Sequence, residues 1–175
     1  VLYSAQRAGG DVAMLFPGQG SQYLGMLATL AARYPVVRET FEEADRVMAP
    51  VLGEKLSALI HPDLTRVEER EAFLQLSQTE ITQPAVLTAD VALLRLLRSF
   101  GVEADVVAGH SLGEYGACVA AGVMTFEEAL RTVATRGTQM ANATPMNGDC
   151  GLMASVPASA EQVQRELDLL QPGYV

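Results

Sequence analysis

The sequence predicts an α/β fold built around a mainly parallel sheet, and three observations carry that prediction. Val12 to Phe16 (VAMLF) is a short continuous apolar run with the profile of a strand buried on both faces, and Asp105 to Ala108 (DVVA) reads as a second buried strand. Each is followed by a glycine-containing turn and then by a helical stretch, the alternation that a parallel sheet requires. Between them Gln83 to Phe100 is apolar almost all round, as a helix enclosed in a larger body is.

The elements follow in chain order. Val1 to Asp11 is small and polar, with Gly9-Gly10, and reads as a linker. The first strand ends at Pro17-Gly18 and opens the loop PGQG, Pro17 to Gly20, after which a helix is expected from Gln22 to Arg33. Val37, Phe41, Ala44 and Met48 form a helical stripe over Val36 to Met48, stopped by Pro50. Leu56 to Ile60 makes one turn. Arg66 to Gln75 is a charged, solvated helix, and its acids Glu68, Glu69 and Glu71 are a wet surface. Gly101 ends the long apolar helix. After the second strand a helix runs from Leu112 to about Ala121. Thr125 and Glu128 make a capping box that starts a helix to about Asn142. Asn147-Gly148-Asp149 is a turn, Gly151 to Val156 a strand, and Ser159 with Gln162 a second capping box opening a helix to Leu170.

Composition narrows the function. With 175 residues, 49% apolar, the chain is one domain's worth and can bury a core. A net charge of −9 and a pI near 4.6 argue against nucleic acid and against an anionic membrane surface. No uncharged apolar run reaches the roughly 18 residues of a membrane span, and the first residues lack a signal-peptide core. Cys118 and Cys150 make neither a disulfide framework nor a zinc pattern, and His61 and His110 leave little for a metal. A soluble, cytoplasmic setting is expected.

The chemistry concentrates at Gly109-His110-Ser111-Leu112-Gly113. It fits G-x-S-x-G between a predicted strand and a predicted helix, the context of a nucleophile elbow. A tight turn there forces the serine into a strained backbone conformation, and glycines two residues to either side leave it room. Ser111 then projects at a helix N-terminus, where free N–H groups and the dipole favour an oxyanion. The competing reading is a Gly-Ser turn that only caps a helix. Such a serine needs a second oxyanion donor from another loop, and PGQG, which also follows a strand, is a candidate; an ordinary Pro-Gly turn is the alternative. Both loops would open at the C-terminal edge of the sheet.

Ala129, Val133, Arg136 and Met140 share a helix face. A charge on an apolar stripe is costly unless paired, so Arg136 meets either a protein carboxylate or a ligand anion, and its fork suits bidentate carboxylate binding. His110 precedes the serine on the turn, so its side chain points elsewhere and serves packing or pocket lining. His61 is a loop residue, Glu114 suits the first helical turn, Cys118 is a core thiol, and Met14, Met26 and Met140 are gap-fillers.

FPGQGSQYLGM (Phe16 to Met26), ITQPA (Ile81 to Ala85), GHSLGEYGACVAAG (Gly109 to Gly122) and TRG (Thr135 to Gly137) occur in that order. Together they resemble the malonyl-CoA:acyl carrier protein transacylases and the acyltransferase domains of polyketide and fatty acid synthases, over nearly the whole stretch from Val12 to Val156. The resemblance implies that Ser111 takes an acyl group from coenzyme A and passes it to a phosphopantetheine thiol of an acyl carrier protein. Backbone N–H groups of Gln19 and Leu112 would form the oxyanion hole, Gln83 would line the pocket, and Arg136 would hold the free carboxylate of a malonyl-type group. No cofactor is implied; the coenzyme A thioester is a substrate. The implied fold is an α/β-hydrolase-like subdomain, here residues 12–143, with a ferredoxin-like one beginning in 144–175.

The family's dyad histidine has no counterpart after Ser111, and most of the small subdomain and the last strands are missing. The chain therefore reads as the N-terminal part of an acyltransferase, truncated or nicked, with the catalytic histidine in a further segment of a larger synthase. Two other readings stand beside it. A serine hydrolase, a thioesterase or esterase, shares the elbow but gives no reason for PGQG, ITQPA and Arg136 together. A patatin-like lipase lacks its aspartate, because Gly148-Asp149-Cys150 supplies no Asp-Gly. A non-catalytic synthase module with a relict elbow is the third.

Overall fold

Two four-residue strands, β1 (Ala13–Phe16) and β2 (Val106–Gly109), pair in parallel, with Ala13 opposite Val106 and Phe16 opposite Gly109. The computed structural model that shows this describes residues 12–143 and 156–169. They belong to two units, which divide between Ala143 and Thr144. Helices α1 (Ala28–Arg33), α2 (Pro35–Leu52), α3 (Leu56–Ile60), α4 (Glu69–Leu76) and α5 (Thr79–Ser99) lie between the strands, and α6 (Gly113–Ala120) and α7 (Phe126–Asn142) follow β2.

Burial of both strand faces is an expectation the structure corrects. Met14, Phe16 and Val107 turn inward to Leu94 of α5 and to Ala117 and Ala120 of α6. Leu15 and Val106 point the other way and are 77% and 56% exposed. Strand side chains alternate, so a sheet covered on one side buries every second residue; among the described residues nothing covers the other side.

The core lies instead among the helices. Val37, Phe41, Ala44 and Met48 of α2, Ala85, Val86, Leu87, Ala89 and Val91 of α5, and Ala129, Leu130 and Val133 of α7 form one apolar cluster with Leu56 and Ile60 of α3. The α2 stripe is the one its spacing predicts. The helix, however, runs past Pro50 to Gly53, which closes it at φ 80. Pro50 lies in the last turn, where its missing N–H removes a single helical hydrogen bond. Similarly α5 begins four residues before Gln83 and carries Pro84 in its second turn. That early start is fixed by Ile81 and Thr82, whose N–H groups donate to the Gln78 carbonyl. Every residue from Ile81 to Ala92 is buried, so packing outweighs the proline.

The helix expected from Gln22 is shortened to α1. Gly25 and Leu27 hold left-handed φ values of 77 and 59, and the Gly25 N–H donates to the Ile60 carbonyl at 2.7 Å. This turn, not a helix, joins the loop after β1 to α3. In α7 the capping box forms as expected: Glu128 N–H donates to Thr125 Oγ1 at 3.2 Å, and Thr125 N–H to Glu128 Oε2 at 2.8 Å. The second unit contains α8 (Ala160–Leu169), and its Ser159–Gln162 capping box is present. The expected turn at residues 147–149 and most of the expected strand at residues 151–156 lie outside the described residues, as does the expected linker.

Candidate functional site

The register of β1 on β2 places Phe16 beside Gly109, so the two loops that follow leave the sheet side by side. Only His110, Ser111 and Leu112 separate β2 from α6. To turn within three residues, Ser111 adopts φ 53, a left-handed conformation that costs a non-glycine residue on the order of 1–3 kcal/mol. Its surroundings hold it there. The His110 N–H donates to the Phe16 carbonyl at 3.2 Å, the Gly113 N–H to the His110 carbonyl at 2.9 Å, and the Glu114 N–H to the Ser111 carbonyl at 3.2 Å. Leu112, fully buried, plugs the turn into the helical core. A Cβ at Gly109 would strike the backbone of Gly113 and Glu114, and one at Gly113 the carbonyls of Phe16 and Pro17. The glycines flanking Ser111 are thus required by space, as the five-residue pattern implies.

Three of the residues singled out in the sequence meet in one chain of contacts. Arg136 Nη2 donates to Ser111 Oγ at 3.3 Å, and its Nη1 donates to Gln83 Oε1 at 2.8 Å. The Gln83 amide is fully buried and sends its Nε2 towards Met140 Sδ at 3.5 Å. Gln83 comes from α5 and Arg136 from α7, and the helices are close because Gly137 has no side chain. A Cβ there would lie 2.8 Å from Glu80 Cα and 2.9 Å from the Thr79 carbonyl.

Arg136 lies beside the apolar stripe of α7 and not within it. The buried face of α7 is Ala129, Leu130, Val133, Ala134 and Gly137, and Arg136 stands at its rim with Met140, which is 50% exposed. Among the described residues no carboxylate forms an ion pair with Arg136. Its guanidinium faces two neutral oxygens, so its charge is solvated and hydrogen-bonded without being neutralised.

Gln19 lies in the neighbouring loop, with Nε2 donating to Thr79 Oγ1 at 3.3 Å. Among the described residues the backbone N–H groups of Gln19 and Leu112 donate to no protein acceptor. The loop is ordered by Ser21 Oγ donating to the Gly18 carbonyl at 3.0 Å and by the Gly20 N–H donating to Gln22 Oε1 at 2.8 Å. His110 packs on this loop: a Cβ at Gly18 would lie 3.2 Å from His110 Nδ1. His61, expected in a plain loop, caps α3, is hydrogen-bonded through Nε2 to the Met26 carbonyl at 2.7 Å, and stacks obliquely on Phe41. Neither imidazole is hydrogen-bonded to Ser111 Oγ.

Sequence reasoning passed over two residues. Met140, counted as a gap-filler, holds the far end of the Gln83 amide. Asp90, lost in an apolar run, is buried on α5 with Oδ2 unpartnered among the described residues; a lone acid inside ADVALL was the available signal. Desolvation pushes its carboxyl up to about 7.

Comparison with known proteins decides the family. The family model for the acyl transferase domain matches residues 13–175. The chain belongs to the acyl transferase domain family. Its sequence is 46% identical over 145 residues to the malonyl CoA-acyl carrier protein transacylase of Escherichia coli strain K12, covering 82% of this chain and 42% of that protein. It is 43% identical over 162 residues to the PKS-NRPS hybrid synthetase acdB of Aspergillus candidus, covering 93% of this chain and 6% of that one. Among solved structures, the complex of a type II PKS acyl-carrier protein with its malonyl-transacylase, PlMCAT:AntF, matches with a TM-score of 0.66 and 47% identity over 78% of this chain and 40% of the other. The acyl transferase domain of ZmaA matches with a TM-score of 0.78 and 29% identity, over 94% of this chain and 36% of that one. This acyl transferase chain thus spans less than half the length of the transacylases it matches.

Proposed function

We propose that Ser111 is the nucleophile of an acyltransferase that moves a malonyl-type group from coenzyme A to the phosphopantetheine thiol of an acyl carrier protein, in fatty acid or polyketide synthesis. The observation that carries this reading is the Arg136 guanidinium, held by Gln83 at 2.8 Å and against Ser111 Oγ at 3.3 Å, with no carboxylate paired to it among the described residues. A fixed cation beside a serine suits an acyl group that ends in a second carboxylate, because charge-assisted hydrogen bonds orient it.

The chemistry follows from the turn. Ser111 Oγ attacks the thioester carbonyl and gives its proton to a base; the C–O bond forms as the carbonyl becomes an oxyanion. The Gln19 and Leu112 N–H groups donate to that oxygen. Collapse breaks the C–S bond and releases the coenzyme A thiol, which takes the proton. The carrier's thiol then attacks the acyl-serine by the same steps in reverse and restores the hydroxyl. The left-handed backbone at Ser111 supports reading this turn as a nucleophile elbow, and the packing of His110 on Gly18 supports a pocket-lining role for it. The base is a histidine supplied by a polypeptide segment other than residues 1–175, because neither His61 nor His110 is hydrogen-bonded to Oγ. That segment also completes the α/β-hydrolase-like sheet and the ferredoxin-like subdomain. The relatives' printed activities support the donor and the carrier.

A serine hydrolase shares the elbow, but water needs no fixed cation beside the serine. Incubating the full-length polypeptide with labelled malonyl-CoA separates the two: a stable adduct on Ser111, chased by carrier protein and absent in Ser111→Ala, is expected. Release of free malonate without carrier transfer, or an adduct on Cys118 that survives Ser111→Ala, overturns the proposal.

A further inference from the structure

The loop that carries Gln19 stands away from the body of the fold. Gln19 and Gly20 are exposed. Gly20 turns at φ 109, and a Cβ there would meet nothing within 4 Å. Ser21 Oγ donating to the Gly18 carbonyl and the Gly20 N–H donating to Gln22 Oε1 shape the loop from inside, but bonds within a loop do not fix it against its surroundings. His110 packs on it at Gly18, and packing is non-directional. Among the described residues one hydrogen bond leaves the stretch Pro17 to Gln22: Gln19 Nε2 donates to Thr79 Oγ1 at 3.3 Å.

Thr79 is itself firmly held. It is the first residue of α5, and every residue from Ile81 to Ala92 behind it is buried. The turn is locked on one side by Thr82, whose hydroxyl donates to the Leu76 carbonyl. On the other side α7 presses on it, because a Cβ at Gly137 would lie 2.9 Å from the Thr79 carbonyl. A β-branched side chain has few χ1 rotamers, so a fixed backbone gives a fixed hydroxyl. A glutamine tied to that hydroxyl at its far end restricts the Cα that bears it, and with it the planar peptide group that carries the Gln19 N–H.

We propose that Thr79 is a positioning residue: its hydroxyl holds the Gln19 side chain and thereby aims the Gln19 N–H at the oxyanion that forms when Ser111 attacks. The inference rests on the reading of Ser111 as an acyl-transfer nucleophile, and it gives the first turns of α5 two separate tasks. Thr79 anchors the loop that meets the reacting carbonyl, which every acyl group has. One helical turn on, Gln83 holds the Arg136 guanidinium, which meets only a second carboxylate.

Thr79→Val keeps the shape of the side chain and removes its acceptor, and Thr79→Ser keeps the acceptor. Both are made in the full-length polypeptide, with kcat counted per serine that acylates so that an inactive fraction does not enter. In Thr79→Val kcat falls roughly two- to tenfold, the effect of one neutral hydrogen bond, equally for malonyl and acetyl transfer and with KM unchanged. Thr79→Ser restores it. An unchanged kcat in Thr79→Val overturns the proposal. So does a loss confined to malonyl transfer, which assigns Thr79 to the placement of α7 and Arg136, and so does a Thr79→Ser as slow as Thr79→Val. Nitrogen-15 NMR of Gln19 reads the anchoring without turnover. In Thr79→Val the Gln19 side-chain amide signal moves and the Gln19 backbone order parameter drops, while that of Thr82 holds. A Gln19 order parameter equal in the two proteins overturns the proposal even where kcat falls. Absence of an adduct on Ser111 in the unmodified polypeptide overturns the nucleophile reading and not the anchoring, which the order parameter then decides alone.

Discussion

At the scale of single residues, the site holds a cation that no carboxylate pairs with among the described residues. Arg136 spends two of its donors on Gln83 and Ser111, both uncharged oxygens. Removing it should therefore leave the serine's own chemistry intact and abolish recognition of a second carboxylate. Arg136→Ala in the full-length polypeptide is expected to lose roughly 2–5 kcal/mol in kcat/KM for malonyl transfer, as for truncation of one partner of a hydrogen-bonded charge pair that the bound acyl group buries, while acetyl transfer holds or rises. Equal losses for the two acyl groups would make Arg136 a structural residue. Gln83→Leu tests the other end of the fork. It keeps the volume but leaves Nη1 without its acceptor, so malonyl transfer should fall while the Ser111→Ala background is unchanged.

At the scale of elements, α5 and α7 set the distance between Gln83 and Arg136, and Gly137 sets the distance between the helices. A methyl there would press on the Glu80 and Thr79 backbone, which cannot give way as the end of a flexible side chain can. Gly137→Ala should cost about 1–3 kcal/mol of stability, the range for overpacking. It should lower malonyl transfer more than acetyl transfer, because α7 carries Arg136 away from Ser111. If urea denaturation and both transfer rates match the unmodified protein, Gly137 does not set the spacing of α5 and α7. What could be read from sequence divides along the same line. The α2 stripe, both capping boxes and the strand-serine-helix turn are local patterns, each fixed by spacing or by one pair of side chains, and they were legible. The stop at Pro50 and the start at Gln83 misplace two helix ends because burial of the neighbouring turns outweighs the local signal, and burial is a property of the whole fold. The helix expected from Gln22 fails for a related reason: Gly25 is tied to Ile60, 35 residues on, and no local signal marks that bond. Ser111, Gln83 and Arg136 could each be named from motifs. Their meeting point could not, because it depends on a Gly137 contact between two helices. Asp90 was passed over although a lone acid in an apolar run marks it, and the cavity it lines between β1 and α5 has no local signal at all.

At the scale of the whole molecule, two carboxyls pull the pH dependence of stability in opposite directions. Glu128 is held below its ordinary pKa by the Thr125 backbone N–H and hydroxyl, so the capping box stabilises above the unfolded pKa of the glutamate and is lost as pH falls below it. Asp90 behaves in the reverse sense. Burial raises its carboxyl from 3.8 to about 7, so the folded chain holds a proton there that the unfolded chain has released. The folded state is therefore unpenalised below about pH 4 and loses stability progressively as pH climbs to about 7, above which the penalty is constant. A shift of that size corresponds to about 4 kcal/mol, a large part of the 5–15 kcal/mol that a domain commands. Urea denaturation of the 175-residue chain should show it as less stable at pH 8 than at pH 5. Asp90→Asn keeps the shape and removes the titration, so it should flatten the curve across this window and match or exceed the unmodified chain at pH 8. If the variant keeps the full slope between pH 5 and pH 8, the proton sits elsewhere, and the desolvated carboxyl on α5 is not what makes this fold sensitive to pH.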